Sequence, residues 1–144
     1  MKFKAQQHVD DPRTIDLQFV YTQFKELGFE DALDLLCLFS EVNGGYLKDA
    51  DAYFGCWDDC SINLFYPIQE QDDLSLFQVN TAFRDHADST KDILVFATYD
   101  SFDEVFVTKK GEVRRAYRED LWGGDWESTL VAPNVPAFFK GLKI

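Results

Sequence analysis

The first regular pattern of hydrophobic and polar positions is an apolar stripe with helical spacing after Pro12. Its members, three or four positions apart, are Leu17, Val20, Phe24 and Leu27. Residues at this spacing lie on one face of a helix and leave the other face polar. Thr14 can cap the start of this helix, and Gly28 can end it in the left-handed conformation. The pattern therefore predicts an amphipathic helix, preceded by a flexible segment over residues 1–13.

A more apolar stretch follows over residues 31–42. Its members on one helical face are Ala32, Leu35, Leu36, Phe39 and Val42. A length of about 12 residues favours a buried helix, and a buried strand is the alternative for such a continuous apolar run. Asn43, Gly44 and Gly45 tolerate positive φ, so they are predicted to end this helix in a structural turn. The turn is not a phosphate-binding loop, because it follows a helix and lacks the Lys-Ser/Thr ending.

Strand-like patterns dominate the middle of the chain. A short strand is predicted at 52–57, and a stronger one at 61–68, where Pro67 puts the end of the strand at a sheet edge or outside the ladder. Residues 92–99 are apolar on both faces, which is typical of a central strand. Two further alternating segments flank the Lys-Gly pair at 110–111. A glycine turn between two such segments predicts a β-hairpin, which completes a three-strand meander.

Two more helices are predicted in the second half of the chain. The segment LSLFQVNTAFRDHA, with Asp72 or Asp73 as its cap, has an apolar stripe made of Leu76, Val79, Phe83 and Ala87. The tail APNVPAFFKGLKI has its apolar positions at Val135, Phe138, Phe139 and Leu142. Pro136 falls in the first turn of this last helix, where proline is tolerated. The stretch LWGGDWES before the tail is predicted to be a loop.

The order of these elements predicts an α+β fold in a single domain over residues 14–144. A mainly antiparallel sheet of about five or six strands would be covered by the N-terminal, middle and C-terminal helices. A chain of 144 residues suits one domain, and a hydrophobic content of 46% with 14 Phe provides a substantial core. No apolar run approaches about 20 residues, and the N-terminus lacks the apolar region of a secretory signal. A cytoplasmic location is therefore expected.

The charge of the chain limits the classes of partner. The formal net charge is −12. Such a surface repels phosphate, which disfavours nucleic acids and anionic membranes as partners. It would attract a basic protein and speed its capture. The alternative is that acidity only keeps the protein soluble, and charge alone does not separate the two.

The residues offer little catalytic or metal-binding chemistry. The two histidines, His8 and His86, are not placed beside a nucleophile, and no G-x-S-x-G occurs. Cys56 and Cys60 lie four apart, but a structural zinc site needs four ligands and no histidine has ligand-like spacing. Clusters of acids are expected by chance in a chain with 26 Asp and Glu. We therefore predict no catalytic residues, no metal and no cofactor.

Two tryptophans lie among acids in the predicted loop before the tail. Aromatic side chains with a charged rim are common anchors in protein interfaces, and Trp122 and Trp126 fit that pattern. The alternative is that each tryptophan folds back and covers an edge of the sheet. The pattern alone favours neither interpretation.

Several short motifs together resemble a known family. A Leu- and Phe-rich helix runs into Asn-Gly-Gly in LCLFSEVNGG, and FYPI follows downstream. The strand LVFATYD, the hairpin EVFVTKKGEV and the closing segment VAPNVPAFFKGL then come in the family's order. Over residues 15–142 the chain is similar to the SUKH superfamily, specifically its Smi/Knr-type domain. One departure is that relatives often have a glycine-rich Asp-Gly-Gly-Gly-Asp pattern where this chain has YDSFD at 99–103.

The resemblance implies a non-catalytic α+β module that binds a protein. Bacterial members are thought to be immunity proteins, so we expect a cognate toxin, basic and nuclease-like, as the partner. The alternatives are a regulator or scaffold of cell-wall glucan synthesis, as in the fungal relatives, and, more remotely, a small carboxylate hydrolase. The resemblance does not predict an oligomeric state. The candidate contact residues lie in two predicted loops that border the meander, and they are Asp100, Phe102, Asp103, Glu104, Asp120, Trp122, Asp125 and Trp126.

Overall fold

The computed structural model describes residues 3–4, 17–29, 46–47, 62–66, 75–99 and 102–140. In chain order the elements are β1 (Phe3–Lys4), α1 (Leu17–Glu26), β2 (Tyr46–Leu47), β3 (Ile62–Phe65), α2 (Leu76–His86), a 3-10 helix (Asp88–Asp92), β4 (Ile93–Tyr99), β5 (Asp103–Thr108), β6 (Val113–Tyr117), α3 (Arg118–Gly123), β7 (Thr129–Ala132) and α4 (Val135–Lys140). The predictions that fall outside the described residues are the helix at 31–42, the turn Asn43-Gly44-Gly45, the strand at 52–57, the interpretation of Cys56 and Cys60, and the position of Asp100.

The main sheet has the strand order β3-β4-β5-β6-β7, and every pair of neighbours is antiparallel. β1 and β2 form a separate antiparallel pair, so Phe3–Lys4 is a strand although the sequence indicated a flexible segment there. Helices combined with an antiparallel sheet confirm the α+β class. β3 lies at one end of the strand order, which agrees with the sheet-edge alternative for Pro67.

β4 is the most deeply buried of the strands whose side-chain burial the structure describes. It lies between β3 and β5, and its first six residues are all buried. A strand that is covered on both faces has no need of polar alternation, which explains its continuous apolar sequence. Aromatic rings form part of the surrounding core, with the ring of Phe96 edge-on to that of Phe138 in α4, at a centroid distance of 5.5 Å. The prediction of a strand inside the sheet is confirmed.

The hairpin between β5 and β6 is confirmed, and Gly111 in its turn has a φ of 90°. The meander continues further than predicted, because β7 pairs with β6. The prediction of a loop over LWGGDWES was wrong for its first half. Arg118–Gly123 forms α3, and Gly124, with a φ of 82°, ends it in the left-handed conformation. The two glycines suggested a loop, whereas the second of them is a helix terminator.

α1 ends as the sequence predicted. Gly28 has a φ of 81°, and its N–H donates to the carbonyl of Lys25 at 3.0 Å. The N–H of Phe29 donates to the carbonyl of Phe24 at 2.7 Å. This pair of bonds is the Schellman arrangement, which satisfies carbonyls at a helix end and needs a residue that accepts positive φ.

α2 begins later than predicted. Its cap is Ser75, whose side-chain oxygen accepts from the N–H of Gln78 at 3.2 Å, so the assignment of Asp72 or Asp73 as the cap was wrong. Serine caps a helix as well as aspartate does, and the sequence offered both. The prediction for α4 is confirmed over Val135–Lys140: the side chain of Asn134 accepts from the N–H of Ala137, and Pro136 lies in the first turn. The predicted position of Leu142 lies outside the described residues.

Two side chains of α2 form hydrogen bonds with the backbone at the edge of β4. The Nδ2 of Asn80 donates to the carbonyl of Val95 and the Oδ1 of Asn80 accepts from the N–H of Val95, each at 2.7 Å. Four residues along the same helix, Arg84 donates to the carbonyl of Ile93 at 3.3 Å. β3 ends its pairing with β4 at the next position, where the N–H of Tyr66 donates to the carbonyl of Phe96. Side chains of α2 therefore occupy the edge of β4 beyond β3.

Candidate functional site

The turn between β4 and β5 holds an exposed aromatic side chain on a fixed backbone. Phe102 is 66% exposed. Its N–H donates to the carbonyl of Tyr99 at 3.2 Å, and its carbonyl accepts from the N–H of Arg118 at 2.8 Å. The second bond ties the turn to the first residue of α3. Phe102 is thus presented to solvent while its backbone is held on both sides.

The sequence pattern placed Asp103 and Glu104 in a loop. That prediction was wrong, because these two residues begin β5. Successive residues of a strand point to opposite faces of the sheet. Asp103 is paired with Arg115 of β6 at 2.8 Å, and the guanidinium of Arg115 lies 4.6 Å from the centre of the Tyr99 ring. This pair is only partly exposed, so Asp103 is held in place and is not a free surface acid.

Glu104 points to the other face and is 1% exposed. Its carboxylate accepts from Nε of Arg118 at 2.6 Å and from the hydroxyl of Tyr66, which lies 2.9 Å from both carboxylate oxygens. Burial raises the pKa of Glu104, and the hydrogen bonds from Arg118 and Tyr66 oppose that rise. Burial, together with the charge of Glu104, also raises the pKa of Tyr66, so its hydroxyl remains a donor. Glu104 therefore cannot contact a partner through its side chain.

The second predicted group of site residues is divided between a helix and the segment after it. Asp120 lies in the first turn of α3 and is exposed, and Asp125 is exposed just beyond its end. Trp122 stacks on Phe83 of α2 with ring centres 4.2 Å apart. Because Trp122 packs onto another helix, it is only partly available to a partner.

Trp126 packs back onto the sheet. Its ring is edge-on to Phe106 of β5 at 5.4 Å, and its Nε1 donates to the hydroxyl of Ser89 at 3.0 Å. The same hydroxyl donates to the carbonyl of Gly124 at 3.1 Å. The contacts match the alternative in which a tryptophan covers the sheet. Of the predicted residues, Phe102, Asp103 and Glu104 follow one another where β5 begins, and Asp120 lies in the first turn of α3, two residues after Arg118. The two tryptophans pack onto Phe83 and Phe106.

The partners of the two strand acids were missed at the level of sequence. Tyr66, Arg115 and Arg118 were not proposed as site residues. The signal was present in the hairpin, because a turn at 110–111 sets a register that pairs Asp103 with Tyr117. In that register Arg115 is opposite Val105, two positions along the strand from Asp103, and Arg118 directly follows Tyr117. Nothing in the sequence pattern indicated Tyr66, which directly follows the edge strand β3 and is separated from β5 by β4.

Among the described residues, no helix is long and apolar enough to cross a membrane. Within the same part of the chain, no group of three or more His, Cys, Asp or Glu side chains is arranged to hold a metal ion. Comparison of the chain with protein-family models, curated proteins and solved structures yields no match.

Proposed function

We propose that the chain is a non-catalytic protein-binding module that binds and neutralises a basic, nuclease-like toxin. The observation that supports this most directly is Phe102, an aromatic side chain two-thirds exposed on a backbone that is fixed on both sides. Large aromatic residues on rigid positions are the usual anchors of protein interfaces. The net charge of −12 favours a basic partner and would compete with the partner's anionic substrate.

The resemblance to the SUKH superfamily gives this proposal its specific form. A Smi/Knr-type domain with an antiparallel sheet of about five or six strands agrees with the α+β architecture. The described turn residue Phe102 stands where relatives often have glycines. An exposed aromatic at that position suits recognition of one particular partner, because side-chain contacts distinguish partners better than bare backbone does.

The arrangement of the acids agrees better with binding than with hydrolysis. A carboxylate hydrolase needs two acids that face one another across a cleft. Asp103 and Glu104 point to opposite faces, and each is occupied by an arginine. These two acids therefore act as structural anchors of the turn, and they leave the exposed residues for contact.

The experiment first examines whether the gene immediately upstream encodes a toxin, and then co-expresses that toxin with the chain. We expect the chain to restore growth and to co-purify with the toxin in a stoichiometric complex. Phe102→Ala should weaken the complex without unfolding the chain, whereas Tyr21→Ala, which removes an exposed aromatic from α1, should leave it unchanged. Failure of the wild-type chain to protect cells or bind the toxin would refute the proposal. Recovery of envelope-synthesis proteins in its place would favour the regulator.

A further inference from the structure

The two ends of the main sheet differ in how their charges are compensated. At the end where β5 meets the hairpin turn, Lys109 pairs with Asp92 and Lys91 pairs with Asp88, each at 3.1 Å. Cations and acids are interspersed there. At that end the described charges compensate one another locally.

The opposite end of the sheet, about 17 Å away along the six residues of β5, has an excess of acid. Its two cations, Arg115 and Arg118, are each engaged by an acid of β5. Glu119 and Asp120 follow directly in α3 and are exposed. No described cation forms an ion pair with either of them. Their negative charge therefore faces solvent.

The same end also exposes apolar surface. Among the described residues, the large hydrophobic side chains that are exposed are Tyr21, Phe102, Tyr117 and Leu130. Tyr117 pairs in register with Asp103, the residue after Phe102, and the carbonyl of Phe102 accepts from the residue after Tyr117. The backbones of two of the exposed aromatics are therefore neighbours at the acidic end.

We propose that Phe102, Tyr117, Glu119 and Asp120, here called the turn surface, form the contact site for a lysine- or arginine-bearing segment of a basic protein. This inference rests on the proposed function, in that the partner is basic. The aromatic pair supplies the apolar centre, and the two acids receive cations at its rim. Such an arrangement, an aromatic anchor inside a polar rim, is typical of interface hot spots.

The chemistry of the turn surface selects this occupant over others. Nucleic acid and anionic lipid would be repelled by Glu119 and Asp120. A second copy of the chain would bring the same acids together, which is unfavourable for self-association. Cations of a partner are attracted by the acids, and their aliphatic stems can lie along aromatic rings. The backbone of Phe102 is already held by two hydrogen bonds, so little ordering of this residue is needed when the partner binds.

The first experiment uses an oligolysine peptide as the probe and does not need the toxin. The isotope-labelled protein is titrated at low salt while amide shifts are followed by NMR. We expect the shifts to concentrate at 102–103 and 117–121, and we expect affinity to fall with added salt. An oligoglutamate peptide should produce no shifts. Shifts spread evenly over the acidic surface, or their absence, would overturn the proposal.

A matched pair of charge variants tests the location. Glu119→Lys combined with Asp120→Lys should weaken oligolysine binding about tenfold, because both rim acids are reversed. Glu26→Lys combined with Asp85→Lys alters exposed acids of α1 and α2 and makes the same charge change, from −12 to −8. An equal loss in both variants would show that only net charge matters and would overturn the site. Glu119→Gln with Asp120→Asn repeats the test without charge reversal at the start of α3.

The second experiment separates this site from the proposed function. If the wild-type chain neutralises the upstream toxin, Phe102→Ala should weaken that complex about tenfold or more, and Tyr21→Ala should not. Protection that survives all turn-surface variants would retain the function and reject the site. Localised oligolysine binding in a chain that protects against no toxin would retain the site and reject the function. Concentration-dependent dimerisation abolished by Phe102→Ala would assign the surface to a second copy and reject the proposal.

Discussion

The side-chain amide of Asn80 pairs with the backbone of Val95 at both its N–H and its carbonyl, at 2.7 Å each. An asparagine in a helix thereby acts as a residue of a neighbouring strand. The same Nδ2 also donates to the carbonyl of Leu76 at 2.7 Å, so the amide is satisfied within its own helix as well. Since buried backbone groups must be paired, this one side chain removes a cost that would otherwise fall on β4.

Replacing Asn80 with Ala should lower the free energy of unfolding by about 2–4 kcal/mol, because it leaves the N–H and the carbonyl of Val95 unpaired in the core. Urea unfolding followed by circular dichroism measures this. Asn80→Asp is an informative companion, since it keeps an acceptor for the N–H but loses the donor for the carbonyl. Gln78→Ala, on the exposed side of α2, is the control and should change stability little. An Asn80→Ala variant with an unchanged free energy of unfolding would contradict the role assigned to the amide.

Two adjacent glycines should respond to alanine in opposite directions. Gly123 is the last residue of α3, and beyond the adjacent backbone no heavy atom lies within 4 Å of the position that an added β-carbon would occupy there. Gly123→Ala should therefore stabilise the protein, by up to about 1 kcal/mol. Gly124 has a φ of 82°, so Gly124→Ala should destabilise it by about 1–2 kcal/mol. Thermal unfolding of both variants provides the measurement, and equal effects would contradict the helix boundary.

The stability contributed by Glu104 should depend on pH in a defined direction. Burial raises the pKa of Glu104 in the folded state above the value of 4.5 that an unperturbed Glu has. The folded state therefore binds more protons than the unfolded state between those two pKa values, and stability falls as pH rises through that interval. Relative to Glu104→Gln, the wild type should lose unfolding free energy from about pH 4.5 upward and then level off.

A companion variant for that experiment is Tyr66→Phe. It removes one hydrogen bond to the carboxylate and leaves Arg118 in place, so the pKa of Glu104 should rise further and the interval should extend to higher pH. The measurement is urea unfolding of each variant across a pH series. A wild type that gains stability over Glu104→Gln as pH rises would show that Arg118 outweighs burial.

Trp126 should contribute to stability more than to binding. Trp126→Ala removes the contact with Phe106 and the hydrogen bond to Ser89, so we expect a loss of about 2–3 kcal/mol in unfolding free energy. Trp126→Phe keeps an aromatic ring on the sheet and should recover most of that loss. Ser89→Ala, which removes the shared hydroxyl, should cost about 1 kcal/mol. A Trp126→Ala variant of normal stability would restore Trp126 as a candidate contact residue.

Features determined by local sequence were predictable. The stripe that ends at Gly28, the apolar strand β4 and the glycine hairpin depend on spacing and turn chemistry within about ten residues, and all three are confirmed. The predicted beginning of α2 was wrong because Ser75 competes with nearby acids as the N-terminal cap. The tendency of Gly124 to end a helix was misinterpreted because two consecutive glycines look like a loop.

The state of each site residue was less predictable, because it depends on contacts between distant segments. Glu104 is 38 positions from Tyr66, and no local pattern indicates that the phenol and carboxylate meet. Asn80 looks like an ordinary polar helix residue until the edge of β4 is beside it. Phe102, predicted as a contact residue, is exposed, because a large apolar side chain between acids in a turn has little to pack against.

The opposed pairs Asp103–Arg115 and Glu104–Arg118 have a consequence for how this protein can diverge. They hold the start of β5 from both faces, so the fold does not depend on the side chain at position 102. Mutation at that position can alter the exposed surface without unfolding the protein. If the proposed toxin is the partner, selection imposed by changes in the toxin would act on a residue that the scaffold leaves free to vary.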